Sequence, residues 1–191
     1  MAELGALIAD LQSQDDSRAE LAASALAEHG EAALTALGRI VNAGNAEARW
    51  WTMYALAGFP QDRAGELLVA GLEDPEMEVR HCAALALCKQ PYADSIQPLL
   101  GLLGSQDGLL SRLAANALVA AGRAAVPGLL ATLQEDSPQV KGEATRALAL
   151  IGDTRAIPSF FHLLESESGL VEHWASQGLA KLHVGMTFYE T

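Results

Sequence analysis

The sequence predicts an all-α protein, an α-solenoid (superhelix) of about six similar helical hairpins, and three observations support this prediction. A leucine recurs at intervals of 30 or 31 residues, at Leu26, Leu56, Leu87, Leu118, Leu148 and Leu179. A small residue stands four positions before each leucine, at Ala22, Thr52, Ala83, Ala114, Ala144 and Ala175. No stretch alternates polar and apolar residues as a half-buried strand does. Self-similarity at a period of about 20–50 residues is typical of stacked-repeat proteins.

The first helix of each predicted hairpin contains apolar residues at helical spacing. In the first repeat these are Leu4, Leu7, Ile8 and Leu11, at positions i, i+3, i+4 and i+7. Similar stripes begin at Leu34, Leu67, Ile96, Val126 and Ile157. Such a stripe indicates a helix that buries one face.

A polar turn follows each first helix, and the second helix then carries the recurring leucine. The turns are Ser13 to Asp16, Asn42 to Asn45, Glu73 to Pro75, Gly104 to Gly108, Glu135 to Pro138 and Glu165 to Gly169. Asp, Ser and Asn favour the N-cap of a following helix, and Pro favours its first turn. We therefore predict one domain over residues 1–191, with repeats at 3–30, 31–60, 61–91, 92–122, 123–152 and 153–182.

The C-terminal tail, residues 183–191, departs from the repeat. Its Phe188 and Tyr189 are expected to fold back over the apolar edge of the last hairpin.

Composition narrows the class of function. Half of the 191 residues are hydrophobic, and 12 basic against 24 acidic residues give a net charge of −12. Nucleic-acid-binding proteins carry a basic footprint, so this charge argues against nucleic acid as a partner. The apolar runs are too short for a membrane span, and the N-terminus lacks the basic and apolar regions of a signal peptide. Cys82 and Cys88 lie on one predicted helix and cannot easily pair, so we expect a cytoplasmic protein.

The sequence shows no catalytic or metal-binding motif. His81 and Cys88 share a helix face but are separated by about 10 Å along the axis, too far to hold one zinc ion alone. Neither a phosphate-binding glycine loop nor a nucleophile elbow is present. We therefore expect no catalytic residue, no metal and no resident cofactor.

Three segments resemble the HEAT repeat in its short, phycobilisome-lyase-type form. They are Asp74 to Arg80 leading into Ala86-Leu87, Asp136 to Lys141 leading into Ala147-Leu148, and the inter-repeat link Gly152 to Pro158. The resemblance covers nearly the whole chain. It implies a helical solenoid and, in most proteins of this kind, an adaptor function.

The resemblance also implies that the second helices line a concave groove. Positions six and two before each leucine would then face that groove, since residues four apart share a helix face. From these positions we take the candidate partner-binding residues Trp50, Tyr54, His81, Leu85, Arg112, Asn116, Arg146, His173 and Gln177. Trp50 and Trp51 diverge by about 100°, so only one can face the groove; we place Trp50 outward and Trp51 in the core.

The arginines of the second helices fall into two groups. Arg49 and Arg80 are expected to pair with turn carboxylates such as Asp74 in neighbouring repeats, forming a structural ladder. No partner can be assigned to Arg112 or Arg146 from the sequence, so ligand contact and a solvated surface remain equally open for both.

Three functions are compatible with these features. The first is a non-catalytic scaffold that binds another protein in the groove, with Trp50, Tyr54 and Arg112 as anchors. The second, implied by the resemblance, is a phycobiliprotein- or bilin-related factor, either a lyase subunit or an antenna-disassembly protein. There Arg112 or Arg146 would meet the propionates of a bilin, and Trp50 or Tyr54 would stack on a pyrrole ring. The third, a DNA-base glycosylase, is disfavoured by the acidic charge.

Overall fold

The structure is a computed structural model that describes residues 2–60 and 62–184. Within these residues twelve α-helices form six successive hairpins, and there is no β-strand. The helices are α1 (Ala2–Leu11), α2 (Asp16–Ala25), α3 (Gly30–Ala43), α4 (Ala46–Leu56), α5 (Asp62–Gly71), α6 (Met77–Lys89), α7 (Ile96–Gly101), α8 (Gly108–Ala121), α9 (Val126–Thr132), α10 (Pro138–Ile151), α11 (Ile157–Leu163) and α12 (Gly169–Lys181). Short 3₁₀ turns cover Leu26–His29, Ala93–Ser95, Leu102–Gly104, Gly122–Ala124 and Thr154–Ala156. The all-α prediction is confirmed.

The backbone packs into two compact units, Met1–Ser95 and Ile96–Thr191. The first unit contains α1 to α6, and its second helices α2, α4 and α6 pack side by side. The second unit contains α7 to α12, with α8, α10 and α12 packed in the same way. The single continuous domain expected from the sequence stays a prediction. The expected packing of Phe188 and Tyr189 lies outside the described residues.

The recurring leucines form the core of their hairpins. Leu26, Leu56, Leu87, Leu118 and Leu148 are fully buried, and Leu179 is nearly so. The small residues one turn earlier are buried as well, which allows the backbones of neighbouring second helices to approach closely. The spacing of four residues places the leucine and the small residue on the same helix face, which explains why the two recur together along the chain.

Side-chain caps begin several of the second helices where the polar turns predicted them. Asp15 accepts hydrogen bonds from the backbone N–H of Ser17 and Arg18, and Asn45 accepts one from Ala48. Asp107 caps α8 and Ser137 caps α10 in the same manner. Each cap satisfies N–H groups that have no partner inside the helix and contributes about 1 kcal/mol to helix stability.

One glycine of the second unit is required by close packing. A Cβ atom at Gly178 on α12 would lie 2.5 Å from the ring of Phe160, which is fully buried on α11. The absent side chain therefore leaves room for an aromatic ring against the backbone of α12, and this explains why glycine replaces alanine before the sixth recurring leucine.

Candidate protein-binding surface

An aromatic cluster on α4 is the main feature of the first unit. The rings of Trp50 and Tyr54 stack, with centroids 5.9 Å apart and planes inclined by 12°. Trp51 meets Trp50 edge-on at a centroid distance of 4.8 Å. Trp51 is only 8% exposed, whereas Trp50 and Tyr54 are half-buried. The prediction that Trp51 belongs to the core and Trp50 faces outward is therefore confirmed.

A cavity opens beside this cluster, at the N-terminal ends of α2, α4 and α6. It measures about 530 Å³ and is called the α4 cavity below. Its lining residues are Asp16, Ala46, Glu47, Trp50, Trp51, Glu76, Glu78 and Val79. This volume lies within the range of roughly 300–1,000 Å³ that is usual for ligand sites. The cavity combines two indole rings with four carboxylate side chains.

A smaller cavity of about 190 Å³ lies toward the C-terminal ends of α2 and α4. Tyr54 and Lys89 are among the residues that line it. The Nζ atom of Lys89 stands 5.9 Å from the centroid of the Tyr54 ring, within the distance at which a cation is attracted to an aromatic face. The stacked pair Trp50–Tyr54 thus contributes one ring to each cavity.

His81 and Leu85 are the two other candidate residues in the first unit, and both lie on α6. Leu85 is 49% exposed and His81 is half-buried. Leu85 is therefore an accessible apolar side chain, as its predicted position on the second helix requires.

Burial places both cysteines of α6 in surroundings that disfavour the thiolate. Both are free, and Cys82 lies 3.6 Å from the backbone oxygen of Trp50. Burial raises the pKa of the Cys82 thiol to about 12 and also raises the pKa of Cys88. A thiol with a raised pKa carries little thiolate at neutral pH, so neither group is poised as a nucleophile. Residues 2–60 and 62–184 contain no group of three His, Cys, Asp or Glu side chains that could hold a metal ion.

The candidate residues of the second unit include a buried ionic network. Glu143 on α10 pairs with Arg112 at 3.0 Å and with Arg146 at 2.9 Å. Arg146 also donates a hydrogen bond of 2.9 Å to the side-chain oxygen of Asn116. Arg146 is only 6% exposed, whereas about half of the Arg112 side chain is accessible. The structure thus supplies partners for both arginines, and it is Glu143 that sequence reasoning missed.

His173 and Gln177 lie one turn apart on α12 and are both exposed. The imidazole of His173 contacts the ring of Trp174 edge-on, with centroids 5.4 Å apart. The nine predicted residues therefore divide between the compact units. The first unit contains four of them, of which Trp50 lines the α4 cavity and Tyr54 lines the smaller one. The second contains five, of which Arg112 and Arg146 pair with Glu143 and Asn116 binds Arg146.

The expected arginine ladder is present in the first unit. Arg49 forms a two-point ion pair with Asp74, with N–O distances of 2.6 and 2.8 Å. Burial opposes ionisation of Asp74, but the hydrogen bonds from Arg49 hold the pKa of that carboxyl below its usual value. Arg80 differs from the prediction, because it binds the turn of its own hairpin and not that of a neighbouring repeat. Its guanidinium donates to the backbone oxygens of Asp74 and Pro75, and its charge also lowers the pKa of the Asp74 carboxyl.

A similar arrangement recurs in the second unit. Asp153 accepts hydrogen bonds from the guanidinium of Arg155 and from that of Arg123 in the preceding repeat. These contacts, above all those with Arg155, hold the pKa of Asp153 well below its usual range. In each unit a carboxylate thus joins two successive repeats through an arginine of the preceding repeat.

Comparison with known proteins identifies the architecture. The family model of HEAT repeats matches residues 34–119, 65–136 and 126–185. The chain belongs to the HEAT-repeat family. The predicted α-solenoid of HEAT-like hairpins is thereby confirmed. Within the described part of the chain, no helix is both long enough and apolar enough to cross a membrane.

The chain is also similar to two curated proteins that are named for bilin-related functions. The phycocyanobilin lyase subunit beta of Nostoc sp. (strain PCC 7120 / SAG 25.82 / UTEX 2576) is 31% identical over 116 residues, which is 60% of this chain and 57% of the relative. The bilin biosynthesis protein RpcF of Synechococcus sp. (strain WH8020) is 31% identical over 99 residues, or 51% of this chain and 47% of the relative. The chain therefore spans about half the length of these relatives.

A solved structure shows the same fold. The complex of CpcE and CpcF of phycocyanin lyase from Nostoc sp. PCC7120 includes a chain that aligns with 94% of this one and 76% of its own length. The TM-score is 0.56 and the sequence identity is 23%. The resemblance to the short HEAT-like repeats of phycobilisome lyases is confirmed.

Proposed function

We propose that this chain is a non-catalytic protein-binding module that holds a partner protein against the exposed side of its second helices. The observation that carries the proposal is the aromatic cluster of α4, of which Trp50 and Trp51 line a cavity of about 530 Å³. Trp and Tyr are the residues most often found as anchors in protein interfaces, because each buries a large rigid surface at a low cost in conformational entropy.

The accessible apolar side chain of Leu85 adds to this surface. It stands on α6, the helix that packs beside α4 in the first unit. In the second unit Arg112 keeps about half of its side chain accessible while Glu143 fixes its position. A guanidinium that is already oriented loses less freedom when it meets a partner.

Affinity capture from a lysate of the source organism tests the proposal. Wild type is compared with a Trp50→Ala/Tyr54→Ala variant and with a Phe161→Ala/Leu164→Ala control. The control removes two exposed apolar side chains, one on α11, the first helix of the last hairpin, and one just after that helix. We expect one protein to be retained stoichiometrically by wild type and by the control but not by the α4 variant, at equal helical circular dichroism. Equal retention by all three proteins would exclude the proposed surface.

A bilin-related function is the second candidate, because one curated relative is named as a phycocyanobilin lyase subunit and the other as a bilin biosynthesis protein. Under this hypothesis the partner is a phycobiliprotein, and the chain is a lyase subunit or an antenna-disassembly factor. A pyrrole ring would stack on Trp50 or Tyr54 in the first unit. Taken by itself, the second unit offers Arg112 to a propionate in preference to Arg146, because Arg146 is buried and already bound to Glu143 and Asn116.

Absorbance spectroscopy distinguishes this candidate from a general scaffold. Phycocyanobilin is titrated with wild type and with the Trp50→Ala/Tyr54→Ala variant, and phycocyanin is titrated separately. A shift of the bilin absorbance that saturates with wild type and vanishes with the variant supports the bilin hypothesis. Unchanged spectra in both titrations, together with capture of a colourless protein, would leave only the scaffold function.

A further inference from the structure

We propose that the α4 cavity binds an arginine or lysine side chain presented by a peptide segment of the partner protein. This inference rests on the proposed function, since it specifies the chemistry of the partner that the module binds. It follows from three properties of the cavity: four lining carboxylates outside the ion pairs of the unit, two indole rings in the lining, and a volume of about 530 Å³.

The carboxylates of the cavity differ from the ion-paired acidic groups of the first unit. Asp10, Glu31 and Asp74 each form an ion pair with an arginine. Four more acidic residues are exposed around the cavity, at Asp16, Glu47, Glu76 and Glu78. Among the residues that the structure describes, none of these four takes part in an ion pair. Their charges are therefore available to a ligand.

Helix ends account for only part of this charge. Asp16, Glu47 and Glu78 lie in the first turns of α2, α4 and α6, where a negative side chain is stabilised by the partial positive charge of the helix N-terminus. Three helix ends supply about +0.5 each, or about +1.5 in total. Arg80 adds one positive charge nearby. The charge of Arg49, which also acts on Glu76, is balanced by its ion pair with Asp74. Four carboxylates exceed this sum, so the cavity remains negative and favours a cation over an anion.

The indole rings give a cation a second source of attraction. The face of an indole attracts an ammonium or guanidinium group within about 6 Å of its centroid, more strongly than the rings of Tyr or Phe. Both Trp50 and Trp51 line the cavity, although Trp51 is otherwise buried. The same cluster already makes one such contact, between Lys89 and Tyr54. A side chain entering the cavity from a partner would repeat that geometry on the neighbouring ring.

Calorimetric titration of the 191-residue chain tests the inference directly. The probe is the peptide acetyl-Gly-Arg-Gly-Arg-Gly-amide, and its control replaces both arginines by citrulline, which keeps the shape and removes the charge. We expect the citrulline peptide to bind at least tenfold more weakly. Trp50→Leu, which leaves the net charge unchanged, should weaken arginine-peptide binding by about 3- to 30-fold.

A pair of charge-matched variants separates the cavity from the general negative charge of the protein. Glu47→Gln/Glu78→Gln removes two carboxylates at the cavity, and Glu28→Gln/Glu66→Gln removes two exposed ones elsewhere in the same unit. The first variant should lose at least five-fold in affinity for the arginine peptide and the second less than two-fold. Equal losses in the two variants, or equal binding of the citrulline peptide, would overturn the inference.

The same variants show which of the two proposals has failed, should one fail. Suppose that the Glu47→Gln/Glu78→Gln protein captures its partner as well as wild type does, while Trp50→Ala/Tyr54→Ala does not. The chain is then a binding module, and the inference that the cavity binds an arginine or lysine side chain is wrong. If binding of the arginine peptide depends on the cavity but no form of the chain captures a protein, the cavity binds a basic side chain and the proposed protein-binding module is wrong.

Discussion

Arg49 and Asp74 join two successive repeats of the first unit through two parallel hydrogen bonds, of 2.6 and 2.8 Å. The pair connects the second helix of one hairpin to the turn of the next. Asp74 also accepts a hydrogen bond from the backbone N–H of Glu76. The carboxylate therefore orders the entry to α6, one of the three helices that surround the α4 cavity.

Asp74→Asn should destabilise the protein, because an amide cannot form the charged two-point contact with Arg49. Both side chains are largely buried, and hydrogen bonds to charged groups contribute about 1.5–3 kcal/mol to stability. We expect the free energy of unfolding to fall by that amount in urea titration. Glu73→Gln, at the exposed neighbouring position, should change it by less than about 0.5 kcal/mol. If Asp74→Asn and Glu73→Gln lowered the free energy of unfolding equally, the Arg49–Asp74 pair would make no specific contribution to stability.

Acid should weaken the same contact. The pKa of Asp74 is lower in the folded protein than its usual value, which is about 3.9 in an unfolded chain. Its stabilising contribution is therefore complete above that value and is lost as the pH falls through the lower folded pKa. The difference in unfolding free energy between wild type and Asp74→Asn should be constant from pH 7 to pH 5. Below about pH 4 it should shrink; a difference that grows in acid would contradict this assignment.

Leu56→Ala should be among the most destabilising truncations in the first unit. Leu56 is fully buried, and removal of a buried leucine side chain costs about 2–5 kcal/mol because a cavity remains. Leu85→Ala removes the same atoms from an exposed position on α6 and should cost less than about 0.5 kcal/mol. Thermal unfolding followed by circular dichroism measures both, and similar losses would contradict the assigned helix faces.

Gly178→Ala should destabilise the second unit although alanine favours helix. The new Cβ would lie 2.5 Å from the buried ring of Phe160, and overpacking of this kind costs about 1–3 kcal/mol. Gly101→Ala is the matched control, since a Cβ there meets nothing within 4 Å. Urea unfolding should show a loss for the first variant and no loss for the second. A stabilised Gly178→Ala protein would mean that α11 and α12 are not in this close contact.

Much of the fold follows from the sequence, because the recurring leucine and its small neighbour fix one buried face per second helix. The same periodicity placed Trp51 in the core and Trp50 outward. The repeat period does not determine how neighbouring helices are rotated relative to each other. The ion pair between Arg112 on α8 and Glu143 on α10 could therefore not be derived from the sequence. The available indication of a partner was the spacing of Glu143 and Arg146, which lie three residues apart on one helix.

The carboxylates of the α4 cavity escaped sequence reasoning for a different reason. Glu47 and Glu78 occupy first-turn positions where acidic residues are common in any helix. Their side chains converge on Trp50 only because α4 and α6 pack side by side with their N-terminal ends together. That relationship depends on tertiary packing, which the repeat pattern does not encode.

Site-specific photo-crosslinking tests the central claim, that a partner protein rests on the aromatic cluster of α4. A benzoyl-phenylalanine is placed at Tyr54 in one protein and at Phe161, an exposed aromatic on the first helix α11, in another. After irradiation in a lysate of the source organism, we predict one crosslinked protein from position 54 and none of that mass from position 161. Crosslinks of equal yield from both positions, or a partner crosslinked only from position 161, would contradict the account.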